Sequence, residues 1–175
     1  MVDDILGIAP CGLKSTAMNT LINTHIEMKR LTFHTPDANG KTKCHKMHIG
    51  SNNKFCPKLQ VHGTDMIEVE SDVYLGDEIS SDGSNKRNID RKVSIGKGKI
   101  SEIMALLEKI SLGAHYFKIG LILRESIFLS SVLFNSEVWF GLTSADIERL
   151  EATDRDLLRR MLKVPNSTPI AGIYL

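Results

Sequence analysis

The stretch VYLGDEISSDGSNKRNIDRKVSIGKGKISEIMALLEKI, residues 73–110, is where the chain changes character. Up to Ser80 the apolar residues come in short extended pieces, of which Val73 and Leu75 are the last. Ser80-Ser81-Asp82-Gly83-Ser84 is then a cluster of turn formers. Beyond it Ile89, Val93, Gly96, Ile100, Ile103, Leu107 and Ile110 alternate steps of three and four, the spacing of one apolar helix stripe. A glycine on such a stripe costs about 1 kcal/mol of helix propensity relative to alanine. The helix is therefore expected to bend near Gly96 and Gly98, or to meet another backbone there.

Working back toward the N-terminus, Ile5, Leu6, Ile8 and Ala9 form a short strand that leaves Asp3 and Asp4 and ends at Pro10-Cys11-Gly12. From Leu13 to Leu31, two apolar rows (Leu13, Ala17, Leu21 and Met18, Ile22, Ile26) predict a helix with Lys14, Asn19 and Glu27 outward. Residues 44–49 alternate as a strand, and Leu59 with Val61, then Ile67 with Val69, are further extended pieces. Toward the C-terminus a second long helix is expected from His115 to Phe140, its apolar face holding Phe117, Leu121, Ile127, Phe128, Val132 and Trp139. Thr143 with Asp146 fits a capping box. The helix it opens carries Ile147, Leu150, Leu157, Leu158 and Met161, with Asp154 on the stripe and so expected to be paired or at the stripe's edge. The predicted fold class is α+β: a partial sheet with one packed helix over residues 1–80, a three-helix unit over 85–165, and a tail at 166–175.

At 175 residues the chain can hold one domain or two small subdomains, and 42% hydrophobic with 25% charged residues argues against disorder. A net charge of +1 means that nothing global demands a nucleic-acid partner. Cys11, Cys44 and Cys56 are an odd set without framework spacing, read as reduced thiols of an intracellular protein, cytoplasmic or nuclear. Asp3 and Asp4 leave no basic segment for a signal peptide. The apolar run 117–142 carries Lys118, Arg124, Glu125 and Glu137, which suits a buried helix better than a membrane span. Cys44, His48, Cys56 and His62 lack the compact cysteine pair of a structural zinc site and are read as thiols and surface histidines.

Adjacent carboxylates before an apolar strand can present oxygens to Mg²⁺, the hard ion of two-metal nucleotidyl transfer. Asp3 and Asp4 are such a pair, although taken alone two aspartates near a terminus are more often an ordinary solvated turn. Between Lys86 and Lys99 the cations Lys86, Arg87, Arg91, Lys92, Lys97 and Lys99 face Asp90 alone. A local excess of this kind binds phosphate backbones in a salt-dependent way; it is also what the solvated face of an amphipathic helix looks like. Arg155, Arg159, Arg160 and Lys163 form a smaller cluster near the last helix's C-terminus.

The order of several motifs resembles one family. Met1-Val2-Asp3-Asp4-Ile5-Leu6-Gly7-Ile8-Ala9, then Lys41-Thr42-Lys43-Cys44 with Met47-His48-Ile49-Gly50, then Tyr74-Leu75-Gly76, Ile79-Ser80 and Asp82-Gly83 occur in sequence. Arg124-Glu125-Ser126, Glu137-Val138-Trp139-Phe140-Gly141 and Leu157-Leu158-Arg159-Arg160-Met161-Leu162 follow. This succession resembles the end of the palm and the thumb of non-LTR (LINE-type) retrotransposon reverse transcriptases, across essentially the whole chain.

The resemblance implies Asp3 as a Mg²⁺-binding aspartate, Asp4 as its neighbour, and Lys43 beside the incoming triphosphate, with Lys41 and Lys46 as rivals. It implies Tyr74, Leu75 and Gly76 as a primer grip, and the Lys86–Lys99 cations as contacts to an RNA–DNA hybrid or primer–template duplex. Met1 and Val2 stand where the family has an aromatic residue and alanine. The family's fingers and first palm aspartate have no counterpart in the sequence. The expectation is therefore a polymerase fragment, inactive alone, whose surfaces for the missing palm and fingers leave apolar residues exposed and promote oligomerisation. A non-enzymatic nucleic-acid-binding thumb module and a helical protein-interaction unit are the alternatives.

Overall fold

The turn formers at 80–84 and the helical spacing after them account for the division seen in the computed structural model, which describes residues 8, 12–28, 44–49, 58–61, 64–109 and 113–172. The chain forms two units, Met1–Leu75 with Ile79–Ser84, and Gly76–Glu78 with Asn85–Leu175. Of the expected first strand only Ile8 lies among the described residues.

In the first unit α1 (Gly12–Met28) is the expected helix, slightly shorter at its end. Its orientation differs from expectation: Asn19 does not face outward. Asn19 and Asn23, one turn apart, both donate their Nδ2 to the Gln60 carbonyl at 2.9 Å. Leu21 is exposed instead. Two amide donors one turn apart converge on one backbone acceptor, so the inward face of α1 is chosen by polar geometry as well as apolar rows.

The strands are short: β1 (His45–Lys46), β2 (Gln60–Val61), β3 (Thr64–Asp65), β4 (Ile67–Glu68), β5 (Ser71–Tyr74) and β6 (Asp77–Ser80). β1 runs parallel to β4, with His45 opposite Ile67 and Lys46 opposite Glu68. β2 and β3 pair antiparallel, and β5 pairs with β6. The mixture of helix and strand is as expected. Among the described residues, however, the strands make three separate two-stranded sheets, not one partial sheet. Val61 is the one buried hydrophobic residue described in this unit.

Leu75 (φ 48°) and Gly76 (φ 89°) both adopt left-handed backbone between β5 and β6. Two successive positive φ values define a type I′ turn, whose twist matches paired strands. Gly76 meets that demand without strain; a leucine at φ > 0 is rare.

The second unit is helical. α2 (Lys86–Lys109) buries Asn88, Ile89, Lys92, Gly96, Ile100, Ile103 and Leu107. α3 (Tyr116–Leu123) continues through a π-helical stretch, Arg124–Leu129, into α4 (Ser130–Val132). α5 (Ser144–Leu162) packs along α2 and α3. Ile100, Ile103, Leu107, Phe128, Val132, Leu157 and Met161 form the core, each burial worth roughly 1.5–3 kcal/mol. Asp154 is paired as expected: the Arg124 guanidinium donates to its two oxygens from Nε and Nη2, each at 2.6 Å. The expected helix to Phe140 stops at Val132. Asn135 takes the left-handed conformation (φ 60°), a short 3₁₀ turn covers Ser136–Val138, and Trp139 is extended. Asparagine tolerates that conformation better than most residues, which makes it a natural stop. Phe117, expected on the buried face, is exposed.

Gly96 is required by packing, though by side chains and not by another backbone. A methyl there would sit 2.9 Å from Thr153 Cγ2, 3.2 Å from Val132 Cγ2 and 3.3 Å from Phe128 Cε2. Thr153 and Val132 are β-branched and stiff, so they yield poorly. A methyl at Gly120 would meet the end of Met161, with Cε at 2.5 Å, and a thioether moves easily. Gly96→Ala is expected to destabilise by about 1 kcal/mol even after the gain in helix propensity. Gly120→Ala should stay within about 0.5 kcal/mol of neutral. Denaturant midpoints of the two variants check the ordering.

The capping box of α5 is complete. Thr143 Oγ1 accepts from the Asp146 amide at 3.2 Å, while the Asp146 carboxylate accepts from the Thr143 amide at 3.0 Å and hydroxyl at 2.7 Å. These hydrogen bonds from Thr143 hold the Asp146 pKa below the usual aspartate value. Because the folded carboxylate resists protonation, its contribution is fully present above the unfolded aspartate pKa. It is lost as pH falls through that value toward the lower folded one. Thr143→Ala should cost about 1 kcal/mol near neutral pH. Its gap to the unsubstituted protein should narrow as pH falls through that window, read by urea melts at several pH values.

Candidate nucleic-acid interface

At 100° per residue, the buried positions of α2 occupy one side, and Lys86, Arg87, Asp90, Arg91, Ser94, Lys97 and Gly98 fall on the opposite arc. All seven are exposed. Asp90 is engaged by Arg149 of α5. Lys86, Arg91 and Lys97 have no carboxylate partner among the described residues. Beside this arc an open groove of about 460 Å³ is lined by Glu78, Arg87, Asp90, Arg91, Ser94 and Ile95. The arc is thus a cationic strip with its one acid occupied.

Two of the six candidate cations fall away from the strip. Lys99 is half-buried, with Nζ 2.7 Å from Glu102 Oε2. Lys92 is a correction: it is 1% exposed and cannot reach a ligand outside. Its Nζ lies 2.7 Å from Asp77 Oδ1 and donates to the Phe134 carbonyl at 3.0 Å and the Gly76 carbonyl at 3.3 Å. The rings of Phe134 and Trp139 cover it, with centroids 5.5 and 5.3 Å from Nζ. The Trp139 indole N–H also donates to Asp77 Oδ1, at 3.4 Å. An ammonium has three donors, and all three are used inside the helical unit.

This buried centre was the feature that sequence reasoning missed. A signal existed: Asn88, Lys92 and Gly96 recur every four residues beside the apolar stripe, so Lys92 sits at its edge while Val93 is half-buried. No sequence signal says which residue answers it, because Asp77 lies fifteen positions earlier in the hairpin, and Trp139 lies in a segment expected to be helical.

The other predicted residues are placed as follows. Asp3, Asp4, Lys41 and Lys43 lie outside the described residues, as do Cys56 and His62. Lys46 is paired with Glu68 at 3.5 Å. Cys44 is half-buried, and His45 Nδ1 lies 2.8 Å from Asp72 Oδ2. Among the described residues no group of three His, Cys, Asp or Glu side chains could hold a metal ion. Of the primer-grip trio, Leu75 is exposed, Tyr74 is half-buried, and the Gly76 carbonyl is turned to Lys92.

The second basic cluster is consumed locally. Arg155 binds Glu148 and Glu151, Arg160 binds Asp156, Arg159 donates to the Thr168 carbonyl, and Lys163 lies over the Tyr116 ring. No described helix is long and apolar enough to cross a membrane. No protein-family model, curated protein or solved structure matches this chain.

Removing one partner of a buried pair leaves the other charge uncompensated, at a cost of about 3–5 kcal/mol. Lys92→Met is therefore expected to destabilise the helical unit by about that amount. Adding Asp77→Asn should recover a large part, since the amide replacing the carboxylate would be neutral and still accept from Trp139. Urea melts of the single and double variants give the coupling; additive effects would show that the pair is not the anchor.

Proposed function

We propose that the chain is the palm end and thumb of a non-LTR retrotransposon-type reverse transcriptase, and that its helical unit binds the backbone of a primer–template duplex. The observation that carries this reading is the exposed strip of Lys86, Arg91 and Lys97 on α2, which have no carboxylate partner among the described residues and whose neighbour Asp90 is occupied by Arg149. Support also comes from the order of the sequence motifs, in which the strip follows directly on the Tyr74-Leu75-Gly76 hairpin. Cations on one rigid helix face suit contacts to successive phosphates, which position a duplex without reading its sequence.

In this reading Asp3 and Asp4 would hold Mg²⁺ in the full-length polymerase, with Lys43 near the triphosphate. All three lie outside the described residues, so the proposal rests on binding and assigns no step of nucleotidyl transfer.

The test is titration of the full chain with a labelled RNA–DNA hybrid over a salt series. Binding should weaken steeply with salt, with a slope set by the number of phosphates neutralised. Changing Lys86, Arg91 and Lys97 together to alanine should lower that slope by about two to three and leave the melting temperature nearly unchanged. Absence of binding at low salt, or an unaltered slope in the triple variant, would remove the proposal.

A further inference from the structure

Gly96 and Gly98 differ in what they do. The methyl that Gly96 excludes would strike three side chains, whereas among the described residues nothing lies within 4 Å of a methyl built at Gly98. Gly98 is exposed, inside a 24-residue helix, with no positive φ to require glycine. Glycine is the poorest helix former after proline, so a fold with no use for it would be better served by almost any other residue. The internal packing of α2 therefore gives no reason for this glycine.

Its place on the helix does. Arg87, Arg91, Ser94 and Gly98 step by four, three and four, so they form one straight ridge along the outer arc. Lys97 adjoins it, the same spacing continues to the small Ser101, and Glu102 beside that row is paired with Lys99 at 2.7 Å. From Arg91 to Ser94 to Gly98 the side chains shrink from guanidinium to hydroxyl to none. A ligand held by Arg91 would come against bare helix farther along.

We propose that Gly98 is the point of closest approach of the nucleic-acid backbone on α2, kept clear so that a phosphate strand lies against the helix within reach of Arg91 and Lys97. This rests on the duplex-binding reading above and adds to it where, and how closely, the strand passes. The ridge carries no large apolar residue that could insert into a lipid surface, and its charge is complementary to polyphosphate. An acidic protein segment would share the charge but would not need continuous contact along the ridge.

Two substitutions in the full chain test the idea. Gly98→Ala should raise the melting midpoint by about 3 °C, as expected where glycine serves no purpose in the fold. An unchanged or lower midpoint would mean that the fold does demand glycine, and would overturn the proposal. Gly98→Trp should keep the fold, shown by an unchanged circular-dichroism spectrum, yet weaken binding of the RNA–DNA hybrid about tenfold, the scale of one lost charge-assisted contact.

If the unsubstituted protein does not bind the hybrid, the duplex reading and this inference fall together. If it binds, and Arg91→Ala with Lys97→Ala weakens it while Gly98→Trp does not, only the close approach at Gly98 is overturned. Poly-glutamate serves as competitor: displacement of the hybrid at equal charge concentration would show that the strip reads acidity alone, which also overturns the proposal.

Discussion

An ammonium group buried inside a protein must have its charge balanced and each of its donors satisfied, and the helical unit is built around one that does both. Lys92 Nζ meets the Asp77 carboxylate, the Gly76 and Phe134 carbonyls, and two aromatic faces. Desolvating two charges is expensive, so such a pair adds little net stability compared with apolar residues of the same size. What it adds is definition. The residues answering Lys92 come from Gly76–Glu78 and from the segment after α4, so only an arrangement that brings both to the middle of α2 satisfies the charge. A slip of α2 by one position would strand Lys92 and Asp77 together.

That constraint explains features which look irregular singly. The helix through α3 and α4 ends at Val132, where Asn135 turns the chain and leaves Trp139 extended, with its indole N–H on Asp77. A helix continuing to Phe140 would carry Trp139 away from that carboxylate. Gly76 combines two demands, a left-handed φ in the turn and a carbonyl directed at Lys92. Farther along, Gly96 lets Thr153, Val132 and Phe128 close onto α2. The inner face of α2 is thereby fixed through its N-terminal half, and its outer arc there is fixed with it.

Local rules made part of this legible in the sequence. The capping box at Thr143 and the helical stripe after Ser84 depend on neighbours within one or two turns, and both appear as expected. The pairing of Asp154 was legible because a carboxylate on an apolar stripe needs a partner, although its being Arg124 was not. Pairings at long range were hidden. Nothing in residues 44–80 says that β1 should join β4 while β2 and β3 pair with each other. The basic run concealed most, since six cations read alike as letters and only the packing shows that Lys92 is internal and Lys99 paired.

The disposition of charge also bears on where a ligand could bind at all. A net charge of +1 predicts no general attraction to polyanions. Within the helical unit the cations of α5 are spent on Glu148, Glu151, Asp156, the Thr168 carbonyl and the Tyr116 ring. Arg149 is spent on Asp90, and that contact removes the one negative charge from the outer arc of α2. The same ion pairs that occupy the cations of α5 leave Lys86, Arg91 and Lys97 of α2 without a carboxylate partner among the described residues. A strip of this kind is short-ranged at physiological salt, where screening sets in within about 8 Å. It acts only on a ligand that lies close along it.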